Sequence, residues 1–551
     1  MYQNRSRITT TIWATLLLAA GFAWWHILPD SIRKAIEPTA LAATFTVNTA
    51  DDHNDGVCNA ADCTLREAIN AANAGDTISF NIPGSGVHTI NATNGFSITK
   101  AVTIDGTSQT GFAGVPLIEL NGGSAGAGVN GLSVNAPNAF IKGLIINRFS
   151  GYGINFDSIG NSSVQGCYIG TNATGTAASA NGAGGIRINA SGITVGGTTS
   201  GAGNVISGNK GNGIDVFVGN ATIQGNFIGI NSAGTIKVSN ASGVVIRGAG
   251  NNIIGGTTIG ARNLISGNAE AGVRILDAGA TNNFVQGNFI GTDATGTVKY
   301  ACGAIGCDNL IGNSNGIEVL TGAQSTTIGG TATGARNVIT GNLDSGVSVS
   351  GGGATSIAGN FIGLDADGIS THGNHVNGVR ISAGSVTVGG TEPGSRNVIS
   401  GNGVILPDRP RPEQFPLGSG ILISGGSGSQ VLGNFIGTNA DGTAAVAVYG
   451  DEGQTGVSII GSASNIIGGT TAAARNIISG NDSGVLISGA NATNNVVQGN
   501  FIGTDVNGVG AVGNDSNGVE ISGGANNNIV GGTLMGAGNT IAFNGCTDRY
   551  C

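Results

Sequence analysis

The residues able to do chemistry in this 551-residue chain are few, and most of them repeat. One position, the x of a G-V-x-I phrase, is filled in chain order by Arg187, Asp215, Val245, Arg274, Glu318, Ser348, Arg380, Leu422, Ser458, Leu486 and Glu520. In an extended strand the flanking apolar residues face one side, so x faces the other. Arg187, Asp215, Arg274, Glu318 and Arg380 are therefore the candidate binding residues. Neighbouring copies are expected to pair Arg187 with Asp215 and Arg274 with Glu318, and arginines recurring along one face suit a linear acidic polymer held at several weak points. The alternative is a mixed ladder that preserves solubility, since exposed pairs add only about a few tenths of a kcal/mol. A second series, Arg262, Arg336, Arg396 and Arg475, recurs in G-A-R-N-x-I-S-G-N segments and suits either carboxylates or the carbonyls of turns.

Catalysis asks for more than repetition. Acid–base chemistry needs groups in mutual reach with shifted pKa values, and this chain has 31 Asp and Glu, five His and no Ser-His-Asp phrase. No catalytic residue is assigned. Asn172, Asn231, Asp293, Asp365, Asn439 and Asp505 recur in G-T-D/N turn phrases. They form either Asx turns or, if their oxygens stack, a calcium site; free interchange of Asn and Asp favours the turns. The stretch Asp51 to Gly56 is acidic but lacks the full calcium-loop spacing. His372 and His375 fall in an inter-coil loop, where exposure is expected, and two histidines fall short of a metal site. No cofactor is expected, and calcium is the one weighed.

The elements that must position these residues follow from the repeat. Gly-Gly-Thr recurs at Gly196, Gly255, Gly329, Gly389, Gly468 and Gly531, at intervals of 59, 74, 60, 79 and 63. Two G-V-x-I phrases divide each unit into halves of about 28 residues, each with three short runs of alternating apolar residues between turn formers. Three short strands per coil, stacked many times, describe an all-β parallel β-helix; a propeller needs four strands per blade of about 40 residues. Glycine at 102 positions and 10 % charged residues exclude long amphipathic helices, and the 40 % of hydrophobic residues excludes disorder. A net charge of −9 argues against nucleic acid as a partner. Stacking implies ladders: valine and isoleucine inside, and Asn226, Asn288, Asn360, Asn434 and Asn500 at one bend, where amides satisfy backbone groups. Cys167 occupies that asparagine position in its own copy and is expected to be a buried free thiol.

Residues 1–43 read as a signal peptide, or as an N-terminal anchor if uncleaved, because Arg5 and Arg7 precede an apolar stretch from Thr11 to Leu28 and Ala40-Leu41-Ala42 offers a cleavage site. Membrane contact is expected only in the second case. Six of the seven cysteines form three equally spaced pairs, Cys58 with Cys63, Cys302 with Cys307, and Cys546 with Cys551. Local disulfides fit an oxidising compartment, whereas zinc wants pairs near each other or near histidines. Loop insertions are expected near 300–312 and 404–417. Thr64 and Glu67 make a capping box ahead of Leu65, Ala68, Ile69 and Ala72, with Gly75 as the stop, so a short helix is expected to cover the first coil.

Thr44-Phe45-Thr46-Val47-Asn48-Thr49, followed by Cys63-Thr64-Leu65-Arg66-Glu67-Ala68-Ile69, resembles the CSLREA domain of exported bacterial proteins, with threonine in place of the usual serine. That resemblance covers residues 44–75. The remainder, 76–551, is similar to right-handed parallel β-helix repeat proteins of the pectin-lyase-like class. The resemblance implies bacterial export to the cell surface or beyond, a single right-handed solenoid, and no settled activity. Polygalacturonase-like enzymes carry Asn-Thr-Asp, Asp-Asp, Gly-His-Gly and Arg-Ile-Lys motifs, and none occurs within these coils. The expectation is an elongated structural or binding protein contacting polysaccharide or another surface protein. The competing expectation is a carbohydrate-active enzyme, a polysaccharide lyase or glycoside hydrolase, in which acids from different coils converge within ~5–10 Å in a groove.

Overall fold

The computed structural model describes residues 42–157, 160–297, 301–303, 306–308, 311–404, 418–446 and 454–545. Three long parallel sheets of 16, 14 and 15 strands dominate it. We call them the G-G-T, G-V-x-I and N-F-I sheets after the phrases they carry. The chain visits them in turn: Gly184–Ile188 in the G-V-x-I sheet, Thr194–Gly196 in the G-G-T sheet, Val205–Ile206 in the N-F-I sheet, then Asn212–Val216 back beside Gly184–Ile188. Each turn thus adds one strand to every sheet, with Ile186 opposite Ile214 and Arg187 opposite Asp215. This is a right-handed parallel β-helix, the hand that parallel crossovers take. The elements belong to one compact unit, Thr44–Cys551.

Inward positions build one continuous apolar column. Ile186, Ile214, Val244, Val273, Ile317 and Val347 are fully buried in it, as are their counterparts in the other sheets. The glycine opening each G-V-x-I phrase is required by the coil spacing. A Cβ on Gly213 would lie 2.7 Å from the carbonyl oxygen of Gly243, and one on Gly243 would lie 2.5 Å from that of Gly272.

Asparagines hold the corners. At the corner between the G-G-T and N-F-I sheets, Asn204, Asn226, Asn263, Asn288, Asn337 and Asn360 each donate an amide N–H to the next asparagine's Oδ1 at 2.9–3.1 Å. The series continues through Asn397, Asn434 and Asn476 to Asn500 and Asn539. The expected positions are thus every other member; the central partners, Asn263, Asn337, Asn397 and Asn476, come from the R-N-x-I phrase, and the outer ones, Asn204 and Asn539, follow glycine. A second series runs from Asn181 through Asn209, Asn240 and Asn268 to Asn313 and Asn342 at the next corner. Cys167 is free and fully buried at the start of the first series, its N–H donating to Asn204 Oδ1 at 2.9 Å. Burial pushes its thiol up to about 12.

Every residue of the C-T-L-R-E-A phrase has a structural task. Cys63 is bonded to Cys58. Thr64 caps helix α1, Leu65–Ala71, and Glu67 closes the capping box. Leu65 and Ala68 are fully buried. Arg66 grips both oxygens of Asp52 at 2.9 and 2.8 Å and lies 4.6 Å from the Phe96 ring centroid. α1 is closed by Ala72 as its C-cap, three residues before Gly75, the expected stop, which takes φ +94° in the turn beyond. Thr44–Val47 pairs in parallel with Thr77–Phe80, so the segment 44–75 supplies the first rung of the G-G-T sheet as well as its cap.

Near 300 the insertion forms an antiparallel hairpin, Ala301–Gly303 with Gly306–Asp308, that sets Cys302 opposite Cys307. The insertion expected over 404–417 lies outside the described residues except for Val404. Cys546 and Cys551 lie outside them too, as does the export segment up to residue 41.

Candidate functional site

The outward side of the G-V-x-I sheet carries two columns of side chains, the x residues and those two positions later, since alternation returns every second residue to one face. Arg187, Asp215, Val245, Arg274 and Glu318 lie side by side in register, and Arg380 stands between Ser348 and Leu422. Phe217 and Arg247 belong to the second column. Tyr152, three coils before Arg247, reaches into the same patch. Facing away from the bore is not the same as facing water: Val245 is fully buried and Asp215 is 3 % exposed, because neighbouring coils cover them.

Arg187 and Asp215 are strand neighbours yet form no ion pair, which corrects the expected pairing. The Arg187 guanidinium instead lies 5.1 Å from the Phe217 ring centroid and 5.9 Å from that of Tyr152. Its length carries the charge past the short Asp215 onto the aromatic rings. Asp215 accepts from Asn212 Nδ2 at 2.8 Å and from the Tyr152 hydroxyl at 3.2 Å, with Arg247 Nε at 4.0 Å. Burial raises the Asp215 pKa despite these donors. Burial and the Asp215 charge push the Tyr152 phenol up to about 12, so it stays a donor.

Arg274 and Glu318 pair as expected, Nε to Oε2 at 2.6 Å, and Glu270 adds a second contact to Arg274 at 2.7 Å. Ser242 and Asn315 supply further donors to Glu270 and Glu318 at 2.9 Å each. Two carboxylates from successive coils therefore converge, as the enzyme alternative requires. The Ser242 hydrogen bond, and then Arg274, hold Glu270 below the usual carboxylate range. Burial works against the Arg274 charge, but its bonds to Glu318 and Glu270 outweigh it and raise its pKa. The Arg274 guanidinium thus bridges the two acids.

Sequence reading missed Tyr152, Phe217, Arg247 and Glu270. A signal existed for part of the patch: Asn212-Gly-Ile-Asp215, Asn315-Gly-Ile-Glu318 and Asn517-Gly-Val-Glu520 share one phrase, in which the asparagine amide donates to the acid three residues later.

The second arginine series resolves toward turn carbonyls. Nε of Arg262, Arg336, Arg396 and Arg475 donates to the carbonyl of Gly287, Gly359, Gly433 and Gly499 at 3.1–3.2 Å. Each guanidinium also lies 3.9–4.1 Å above the centroid of Phe289, Phe361, Phe435 or Phe501. The G-T-D/N phrases form Asx turns, as with Asn172 Oδ1 accepting from Thr176 N and Ala177 N. In one copy Asp367 takes over the turn, and Asp365 is buried against His372 Nδ1 at 2.9 Å. His375 is buried, its ring bonded to the Val404 carbonyl, so the exposure expected of this loop does not hold. Among the described residues His53, Asp55 and Glu67 form the one trio with metal-ligand spacing. Glu67 spends both oxygens there on the N–H groups of Asp55 and Thr64.

No family model and no curated protein sequence matches this chain. Solved structures of similar architecture include the Dettilon tailspike protein, at 13 % identity and TM-score 0.30 over 81 % of this chain. This chain spans 62 % of that tailspike's length. Pectate lyase Pel9A matches at 14 % identity and TM-score 0.28, covering 72 % of this chain and 76 % of the lyase. The tailspike protein of E. coli bacteriophage HK620, solved in complex with a pentasaccharide, matches at 14 % identity and TM-score 0.30, covering 88 % of this chain and 80 % of the tailspike. The pairing of the three sheets establishes the fold independently of these likenesses.

Proposed function

We propose that this protein is an exported bacterial β-helix that binds polysaccharide along the outward face of its G-V-x-I sheet and does not cleave it. The observation that carries this reading is the bridging of Glu270 and Glu318 by Arg274. The two acids share one guanidinium, while Tyr152, Arg187, Phe217 and Arg247, on the preceding coils of the same face, offer rings and donors suited to sugar hydroxyls. The activity needs no cofactor. Export through residues 1–43, a CSLREA-like cap over 44–75 and bridges at Cys302–Cys307 and Cys546–Cys551 belong to the same reading, and the paired cysteine spacing supports them.

Retention of the purified chain on immobilised acidic and neutral polysaccharides, with product analysis of the eluate, tests the reading. Binding without new chain ends is expected, and Arg274→Ala with Arg380→Ala should weaken retention. Cleavage by the wild type that disappears in Glu318→Gln or Asp215→Asn would establish the enzyme instead.

A further inference from the structure

The four stacked arginines lie at the corner between the G-G-T and N-F-I sheets, across the coil from the G-V-x-I face. They fall on every second coil, because the strands that follow them, Leu264–Ile265, Val338–Ile339, Val398–Ile399 and Ile477–Ile478, are separated by one intervening strand each. At one inter-strand spacing per coil the charges recur about every 9–10 Å. The phenylalanine beneath each comes from the intervening coil, so the column is built from both halves of the repeat.

Two features separate this column from a device that only closes a turn. First, the corresponding corners at Ala202-Gly203-Asn204 and Ala537-Gly538-Asn539 form with glycine in place of arginine, and their asparagines still join the ladder. The turn and ladder form without a guanidinium, and arginine is confined to the four central copies. Second, among the described residues no carboxylate forms an ion pair with any of the four. Arg262 is partly buried, Arg336 and Arg396 reach the surface, and packing against the neighbouring coil lowers the pKa of all three. The ring contact offsets part of that cost, and an anion would offset more. With Nε committed to a glycine carbonyl, each guanidinium keeps its two Nη groups, a parallel pair of donors matched to one carboxylate. Arg336 and Arg396 flank a surface cavity of about 600 Å³ that Phe361, Thr391, Glu392 and Pro393 also line.

We propose that this arginine–phenylalanine column is a second binding site, for a linear polyuronate whose carboxylates dock on successive guanidiniums. It is separate from the G-V-x-I face and stands or falls without it. Repetition supplies the affinity, since each docked carboxylate raises the effective concentration of the next. Glu392 lines the cavity between two of the cations without pairing to either, and it opposes the ligand's charge.

The test uses the full chain with polygalacturonate as the probe, polyglutamate and a neutral glucan as comparisons, and affinity electrophoresis as the readout. Arg336→Met with Arg396→Met keeps an apolar stem over each ring while removing charge. Polygalacturonate affinity should fall at least tenfold, with thermal stability close to wild type, and Glu392→Gln should raise affinity. As a check that needs no variant, polygalacturonate should protect Arg336 and Arg396 of the wild type from phenylglyoxal. Unchanged binding by the double variant, no protection, or equal binding of polyglutamate would overturn the proposal. Binding lost in Arg274→Ala with Arg380→Ala but kept in the methionine variant would leave the G-V-x-I reading standing and remove this one. Absence of binding to any glycan would remove both.

Discussion

Replacement of Asn360 by alanine tests how the coils hold their spacing. Asn360 is fully buried, and its Oδ1 accepts two N–H groups of Asn337, the backbone one at 3.2 Å and the side-chain one at 2.9 Å. Its own amide donates to the Ile328 carbonyl at 2.9 Å and to Asn397 Oδ1 at 3.1 Å. Alanine leaves both Asn337 donors without a partner in a site water does not reach. At about 1–3 kcal/mol per stranded buried group, the cost is about 2–6 kcal/mol. In a solenoid the damage stays near the break, because each coil touches only its neighbours. Hydrogen exchange should therefore accelerate at Val338–Ile339 and Phe361–Ile362, which flank the ladder on successive coils, and leave Ile186 or Ile214 protected. The displaced coil also carries Phe361, so the Arg336 stacking should weaken with it. A stability loss under about 1 kcal/mol, or protection lost evenly along all coils, would refute the ladder as the element that sets the coil spacing.

Cys167 should resist iodoacetamide at neutral pH in the folded chain and react once it is unfolded, because its thiol is buried and pushed up to about 12; rapid alkylation of folded protein would contradict its placement. Burial raises the Asp215 pKa above the ordinary 3.8, so between those two values the folded state holds a proton that the unfolded state has lost. Stability should decline as pH rises through that window, and Asp215→Asn should flatten the decline while matching wild type below it, as measured by urea unfolding across pH. Asp52→Ala should unseat the cap. It removes the ion pair of Arg66, leaving that side chain its bonds to the Asn94 and Gly95 carbonyls, and frees the Thr93 N–H and hydroxyl that Asp52 accepts at 2.7 and 2.8 Å, so thermal unfolding should begin at lower temperature and proteolysis near α1 should precede cleavage elsewhere. An unaltered digestion pattern would show that the cap is held without the Asp52–Arg66 pair.

The sequence by itself determined the solenoid, its three sheets, the inward columns, the corner asparagines and the capping box. These rest on properties that act locally or repeat by translation: alternation along a strand, a side chain bonding its own turn, and one phrase recurring at a fixed interval. A residue such as Asn360 therefore finds its like one coil away whatever the rest of the chain does. Only the tertiary structure decided which outward residues meet. Arg187 passes over Asp215 to reach Phe217 and Tyr152, Glu270 joins Glu318 on Arg274, Val245 is buried on a face expected to be open, and the second arginine series finds its phenylalanine on the following coil. Register sets Cα atoms side by side, but the contacts of a long side chain depend on its reach, on the lengths of its neighbours and on how much water the adjacent coils exclude. Those quantities vary from copy to copy, so the repeat specifies a position and the packing around it specifies the partner.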